Sequence, residues 1–221
     1  MLMDEPRLRS ILLEEAKSRA LKYNIQNVVL PCVSGFTVKA AMKVFGPGYA
    51  YYAVGNPASS HARGLVYHAG TSAAERAHLE AVGVHVILQE VSPFQVNAKK
   101  GVGLDHWEAF GRAYEKRSGH RLEGELVAQL CNNMLTYLFS DGPRVCIEIA
   151  LMAADAGVLP VDEDCISLAT PSRYCDLPDA AVIMRPAKTA DFFGGGHPFT
   201  EGVMIKDVLL VPSPGDWWMK S

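Results

Sequence analysis

The chain lacks several features that would indicate its function directly. Its 221 residues carry a formal net charge of -3, so they show no basic excess of the kind that tracks nucleic-acid phosphates. No apolar run approaches the roughly 20 residues that cross a bilayer. The N-terminus lacks the basic-then-apolar order of a signal peptide. These absences predict a cytoplasmic protein that binds neither nucleic acid nor membrane.

Paired cysteines are also missing. The five cysteines are odd in number and scattered, with no CxxC pair, which argues against a disulfide framework and against a zinc site. Cys146 in an apolar run and Cys131 on a helical stripe are expected to be small buried hydrophobic residues. Cys32 follows an apolar run in a more suggestive place, but no histidine can be assigned to it as a base. A catalytic thiol is therefore the less favoured interpretation.

What the chain does contain is a repeated alternation of strand and helix patterns. A hydrophobic content of 49% over 221 residues predicts one core and a single α/β domain spanning residues 1–221. Helical spacing predicts a helix over about 5–22, and short apolar runs predict strands at 27–31 and 49–54. Ser72-Ala-Ala-Glu75 is a capping-box sequence that opens another helix before a strand at 84–88. The alternation predicts a three-layer α/β/α fold with a mostly parallel, doubly wound sheet.

The middle of the chain has a different pattern. Residues 91–104 have no clear period, and Asp105 can then cap a helix that ends near Gly119. A second helix carries a clean apolar stripe at helical spacing, made by Leu122, Leu126, Leu130, Met134 and Leu138. We expect residues from about 91 to 142 to form a helical cover over one face or edge of the sheet.

A charged residue follows or interrupts each of two later apolar runs. The segment from Arg144 to Gly157 predicts a buried strand at Val145 that leads into a helix, with Glu148 near the junction. Residues 180–187 form another apolar run, which is interrupted by Arg185 and a proline. Ligands of parallel sheets bind where strands end, so Glu148 and Arg185 are expected to share one site, with Glu148 a candidate acid or base. Glu148 could equally cap the helix or form a structural ion pair with Arg185.

A second candidate site is the turn Ser34-Gly-Phe-Thr37, which joins the strand at 27–31 to the next helix. A helix start offers unpaired N–H groups and a partial positive charge, and glycine lets an anion approach the backbone. The turn is therefore typical of a phosphate-binding cup, although a serine or threonine before a helix is more often only an N-cap. It is not a P-loop, because the GKS/T ending is absent, and it lacks the GxGxxG dinucleotide fingerprint.

These segments resemble a known family. The turn Ser34-Gly-Phe-Thr37 after an apolar strand resembles the phosphate-holding loop of the pyruvate kinase C-terminal domain. Residues 144–160, together with 181–187 and Phe192-Phe193, are similar to the stand-alone pyruvate kinase C-terminal-like proteins of archaea and bacteria. The strong match covers about the last third of the chain, and the remainder follows the family only in its order of elements.

The resemblance implies a three-layer α/β/α fold and binding of flavin mononucleotide (FMN). It implies that Ser34, Gly35 and Thr37 face a phosphate and that Glu148 and Arg185 line the same edge of the sheet. The chain departs from the family in lacking an initial strand, in the residues that approach the turn (31–33), and in an insertion that opens at 192–198. The barrel and active site of pyruvate kinase are absent, so the resemblance does not imply kinase activity.

Several other residues have both a functional and a structural interpretation. Asn56 could hold a ligand amide or a ribityl hydroxyl, or simply form a Gly-Asn-Pro turn. Asp155 near a helix end is expected to make a fixed hydrogen bond. The Gly194–His197 segment is interpreted as a lid hinge or as a surface loop. Trp217-Trp218 is interpreted as a subunit contact of a homo-oligomer or as a tail docked within one chain.

Two functions follow from these patterns. The first is a domain that binds a phosphorylated small molecule, with FMN as the candidate. The second is an enzyme, either a flavin-dependent oxidoreductase or a phosphoester-processing enzyme, that uses Glu148 as an acid or base. Binding is favoured because no nucleophile, base and orienting group can be recognised together.

Overall fold

The structure is a computed structural model that describes residues 5–55, 71–88, 92–94, 105–169, 177–194 and 202–211. Its helices are α1 (Glu5–Lys22), α2 (Phe36–Phe45), α3 (Ala73–Ala81), α4 (Asp105–Ser118), α5 (Gly124–Phe139) and α6 (Asp141–Asp155). Its strands are β1 (Asn27–Pro31), β2 (Ala50–Val54), β3 (His85–Ile87), β4 (Cys165–Ala169), β5 (Ala180–Arg185) and β6 (Met204–Leu210), and a short 3-10 helix spans Thr189–Asp191.

The strands form one six-stranded sheet in the order β3-β2-β1-β4-β5-β6. The first four strands in that order are parallel to one another. The two remaining strands are antiparallel to their neighbours, with β5 running against β4 and β6 running against β5. The predicted α/β class with a mostly parallel sheet is confirmed.

Helices cover both faces of the sheet, because successive side chains of a strand point to opposite sides. Val28 and Leu30 of β1 pack with α1, α2 and α3, whereas Val29 packs on the opposite face with residues of α4, α5 and α6. Helix α6 lies directly on β4 and β5, and α5 packs against both α6 and α4. This arrangement is compatible with a three-layer α/β/α fold, and helices α4 and α5 lie within the range of about 91–142 for which a helical cover is predicted.

One predicted element is wrong. The expected strand at Val145 is part of α6, which begins at Asp141 and runs without a break to Asp155. Nearly every residue of this helix from Cys146 to Ala154 is buried. A short apolar run in a helix that is buried all round cannot be distinguished from a buried strand by its period. The good helix formers in the run favour the helix, as does a proline placed in the first turn, where it is tolerated.

The apolar stripe of α5 also differs from the expectation. The helix forms where predicted, but its buried residues are Gly124, Val127, Ala128 and Cys131. Four of the five residues of the predicted stripe face solvent, since Leu126, Leu130, Met134 and Leu138 are 50%, 51%, 58% and 69% exposed. The fifth, Leu122, precedes the helix and packs partly against the core. Among the described residues, no helix is both long enough and apolar enough to cross a membrane.

Candidate functional site at the start of helix α2

The candidate site lies at the reversal point of the sheet. From β1 the chain moves outward to β2 and β3 on one side, while β4 pairs with β1 on the other side. In open α/β sheets, ligands bind in the crevice at the carboxyl ends of the strands where the strand order reverses. The segment that leaves β1 at this edge contains the predicted turn, Ser34 to Thr37.

The backbone of this turn has the conformation expected at the start of a helix. Gly35 adopts a φ of 79° in the left-handed region, which glycine enters without the steric cost that other residues meet. The hydroxyl of Ser34 accepts a hydrogen bond from the Phe36 N–H at 3.4 Å, and α2 begins at Phe36. Thr37 follows in the first turn. The predicted strand-turn-helix geometry is confirmed, and its first-turn N–H groups provide the partial positive charge.

A carboxylate from another helix already lies at this turn. A Cβ atom added at Gly35 would meet Glu75 Oε1 at 2.3 Å, so Glu75 fills the space that the glycine leaves open. Glu75 Oε1 lies 2.8 Å from Lys39 Nζ, which belongs to α2 itself. Lys39 is half exposed and Glu75 is 21% exposed. A carboxylate therefore lies beside the start of α2 and is paired with a lysine of that helix.

Helix α3 places Glu75 there. Ser72 caps α3 by accepting a hydrogen bond from the Glu75 N–H at 3.1 Å, which confirms the serine half of the predicted capping box. The Glu75 side chain, however, pairs with Lys39 of α2. The glutamate of a capping-box sequence is therefore recruited to the neighbouring helix start.

The thiol of Cys32 borders the same turn, in surroundings that raise its pKa. Thr71 Oγ1 donates to the Cys32 carbonyl at 2.7 Å and lies 3.2 Å from the sulfur. Burial raises the pKa of Cys32, the charge of Glu75 raises it further, and hydrogen bonds from Thr71 and the Gly35 N–H only partly oppose the rise. A thiol must be deprotonated to act as a nucleophile, so this environment disfavours a catalytic role for Cys32.

Glu148 does not lie at a strand end. It is on the interior of α6, 6% exposed, and one carboxylate oxygen accepts from Arg144 at 2.7 Å. The other oxygen accepts from the Ser92 hydroxyl. Burial alone would lower the pKa of Arg144, but the charges of Glu148 and Asp141 outweigh that effect and raise it. The ion pair that was expected with Arg185 is therefore made with Arg144, one helical turn away.

The contacts of Glu148 serve the packing of the segment 92–94. Ser92 also accepts from the Phe94 N–H at 3.2 Å, and the Pro93 carbonyl accepts from Trp107 Nε1 at 2.6 Å. The Phe94 ring lies 6.2 Å from the ring of Trp107. These contacts connect α6 to the aromatic side chains of α4 and segment 92–94. The role they give Glu148 is structural.

Arg185 lies at the opposite edge of the sheet from the turn. Because β5 is antiparallel to β4, Met184 pairs with Cys165 at the start of β4. The strand end that carries Arg185 is therefore at the amino edge of the parallel strands, about 15 Å along the strands from the end of β1. There Arg185 Nε donates to Asp164 at 2.9 Å, and Lys206 contacts the same carboxylate. The expectation that Arg185 shares an edge with Ser34 and Thr37 is wrong.

The remaining candidates have mixed outcomes. The fixed hydrogen bond expected for Asp155 is confirmed, because its carboxylate accepts from Thr189 N–H at 2.9 Å and from Thr189 Oγ1 at 2.7 Å. Asn56 and Trp217-Trp218 lie outside the described residues, as do residues 195–197.

Pattern reasoning missed the pair of Glu75 and Lys39. Both residues had a local explanation, Glu75 as a capping residue and Lys39 as part of a helix. Their positions in the chain could have identified them. Lys39 lies in the helix after β1 and Glu75 in the helix between β2 and β3, and helices that follow adjacent parallel strands begin at the same edge of the sheet.

No known protein-family model matches the chain. Within the part of the chain that the structure describes, no cluster of histidine, cysteine or carboxylate side chains is arranged to hold a metal ion.

Proposed function

We propose that this chain binds a phosphorylated small molecule at the start of α2, where β1 meets the reversal point of the sheet. One observation carries the proposal: the atoms nearest to the open side of Gly35 belong to the carboxylate of Glu75, which comes from another helix. The turn therefore already accommodates an anionic group close to its backbone. A phosphate would take the position that the Glu75 carboxylate holds.

The chemistry of the turn suits a phosphate. The first-turn N–H groups of α2 point toward its start, and anions are stabilised there by the helix dipole. The Ser34 and Thr37 hydroxyls are further donors, and Lys39 adds a cation one turn along. A substituent at Gly35 would fill the space in which the anion is held.

Ligand binding in this proposal is an exchange of anions. Glu75 leaves the turn, the phosphate enters, and Lys39 transfers its ion pair from the carboxylate to the phosphate. The exchange is favourable because a phosphate carries more charge and more acceptor oxygens than a carboxylate. Because Lys39 is half exposed, solvent screens its pair with Glu75, and the pair contributes little to stability.

FMN is the first ligand to test, because the chain resembles the pyruvate kinase C-terminal-like family in this turn and in its last third. The proposal includes that family membership and excludes pyruvate kinase activity. Arg185 is not part of the site, and neither is Glu148. Both Glu148 oxygens are engaged by Arg144 and Ser92, so its contacts give no support to the enzyme hypothesis.

The visible absorption spectrum of the freshly purified protein, with mass spectrometry of any molecule released by heat, tests the ligand class. A stoichiometric flavin identifies FMN, and a colourless protein that releases another phosphorylated compound supports the site with a different ligand. Calorimetric titration of that compound then compares Thr37→Ala with Thr136→Ala, a matched change on α5, where the Thr136 hydroxyl donates to Asn132 of its own helix. Equal affinity in the two variants would contradict the proposed site.

A further inference from the structure

The strongest unexplained surface is an apolar stripe on α5, which we define as Leu126, Leu130, Met134, Tyr137 and Leu138. These residues are between 50% and 77% exposed. They follow one another at helical spacing and lie within about a third of the helix circumference. The buried residues of the helix, Gly124, Val127, Ala128 and Cys131, all lie in its first half. The stripe is therefore an apolar surface beside these buried residues, and its five side chains are mostly not used to pack the fold.

The size of this face is suited to a subunit interface. The exposed fractions of the five side chains add up to about three whole large side chains, or roughly 600 Å² of apolar surface. The largest apolar patch of a typical monomer is about 300–600 Å². Two such faces placed together would bury about 1,200 Å², which reaches the range of specific protein interfaces.

The charge of the helix favours an identical partner over other partners. From Leu126 to Phe139, α5 contains no lysine, arginine, aspartate or glutamate. Two copies can therefore meet around a two-fold axis without like charges facing each other. A helix that binds a membrane surface normally has lysine and arginine on its polar face, and this helix has none. Nor does the stretch from Leu126 to Phe139 carry a charge that would attract a charged protein partner.

We infer that the α5 stripe is a homodimer interface in which two copies of α5 pack antiparallel. The middle of the stripe falls between Leu130 and Met134. A two-fold axis at that point places Leu130 of one protomer against the partner's Met134, and Leu126 against the partner's Leu138. The inference is independent of the proposed phosphate site, because it rests on the exposed face of a different helix.

Sedimentation velocity over a range of micromolar concentrations tests the interface. The wild-type chain is expected to dimerise, and Leu130→Glu is expected to raise the dimer dissociation constant by at least about 30-fold, since the change buries a charge at the centre of an apolar contact. Leu21→Glu is the matched control, because Leu21 is a similarly exposed leucine, 65% exposed, on α1. Circular dichroism should show the same helix content in all three proteins.

Mixing two variants tests the antiparallel pairing. Leu130→Glu and Met134→Lys are each expected to be monomeric alone, and an equimolar mixture is expected to form a heterodimer because the introduced charges face each other with opposite signs. A monomeric wild-type protein would overturn the inference, whether or not it binds lipid vesicles. A dimer that persists in both single variants would overturn it as well, since the interface would then lie elsewhere.

Discussion

Two glutamates, Glu148 and Glu75, show how differently the same side chain is used in two regions of this molecule. Glu148 is buried in α6, and both of its oxygens are paired with groups of the fold. Glu75 lies at the edge of the sheet and is held by a lysine that is itself half exposed. Loss of the first carboxylate would leave the buried Arg144 with Asp141 as its remaining described carboxylate partner, whereas in our proposal the second is replaced by another anion. The difference between the two regions is therefore how firmly each glutamate is paired: Glu148 is fixed within the fold, and Glu75 is held by a single half-exposed lysine.

The largest effect on stability is expected from breaking the buried ion pair between Glu148 and Arg144. Glu148→Gln removes the more buried of the two carboxylates that compensate Arg144, while Asp141 remains. It should therefore lower the free energy of unfolding by about 3–4 kcal/mol, the lower part of the range for a broken buried pair. Urea denaturation measures the change. Glu80→Gln, which breaks an exposed pair with Arg76, should cost no more than about 0.5 kcal/mol.

The double variant Glu148→Leu with Arg144→Met sharpens this prediction. Replacing both charges with apolar groups of similar volume should recover most of the stability. A double variant that is as unstable as the single one would show that the ion pair is not the source of the loss.

A second prediction concerns the space at Gly35. Gly35→Ala must adopt a left-handed backbone and also displace the Glu75 carboxylate, so it should lower the free energy of unfolding by about 2–4 kcal/mol. Gly157→Ala is the control, because Gly157 has a φ of 73° but open space at its Cβ position. Its cost should be only the backbone strain, about 1–2 kcal/mol.

Adding Glu75→Ala to each glycine variant separates the two contributions. The added change should recover part of the loss in Gly35→Ala and nothing in Gly157→Ala. Thermal denaturation of the four proteins provides the comparison, and an equal response in both backgrounds would mean that Glu75 does not occupy the turn.

A smaller effect is expected at the cap that positions Glu75. Ser72→Ala removes the acceptor for the Glu75 N–H and should lower the free energy of unfolding by about 1 kcal/mol. Ser72→Asp retains an acceptor at that position and should cost less in the same denaturation experiment. If Ser72→Asp is as unstable as Ser72→Ala, the hydroxyl has a role other than capping.

The sequence could predict the elements that follow local rules. The strand at 27–31, the glycine turn after it and the serine cap at Ser72 each depend on residues close together in the chain. The helix that carries Glu148 was misassigned in its first half because a helix buried all round loses the polar face that identifies it.

The errors in the site have a different origin. Whether Arg185 shares an edge with Ser34 depends on the direction of β5, which is set by its pairing with β4 and β6 and not by its own residues. Glu75 reaches the turn from a helix 36 residues further along than Lys39. Long-range packing of this kind leaves no local pattern in a single sequence.

In the proposed site, Glu75 and a phosphate compete for the same position at the start of α2. Calorimetric titration of FMN and of inorganic phosphate into the wild-type protein and Glu75→Gln tests this competition most directly. Removing the competing charge is worth about 1 kcal/mol at a helix start, so Glu75→Gln should bind both ligands roughly five-fold more tightly, while Glu80→Gln should bind them like the wild type. Affinities that are unchanged or weaker in Glu75→Gln would contradict the account.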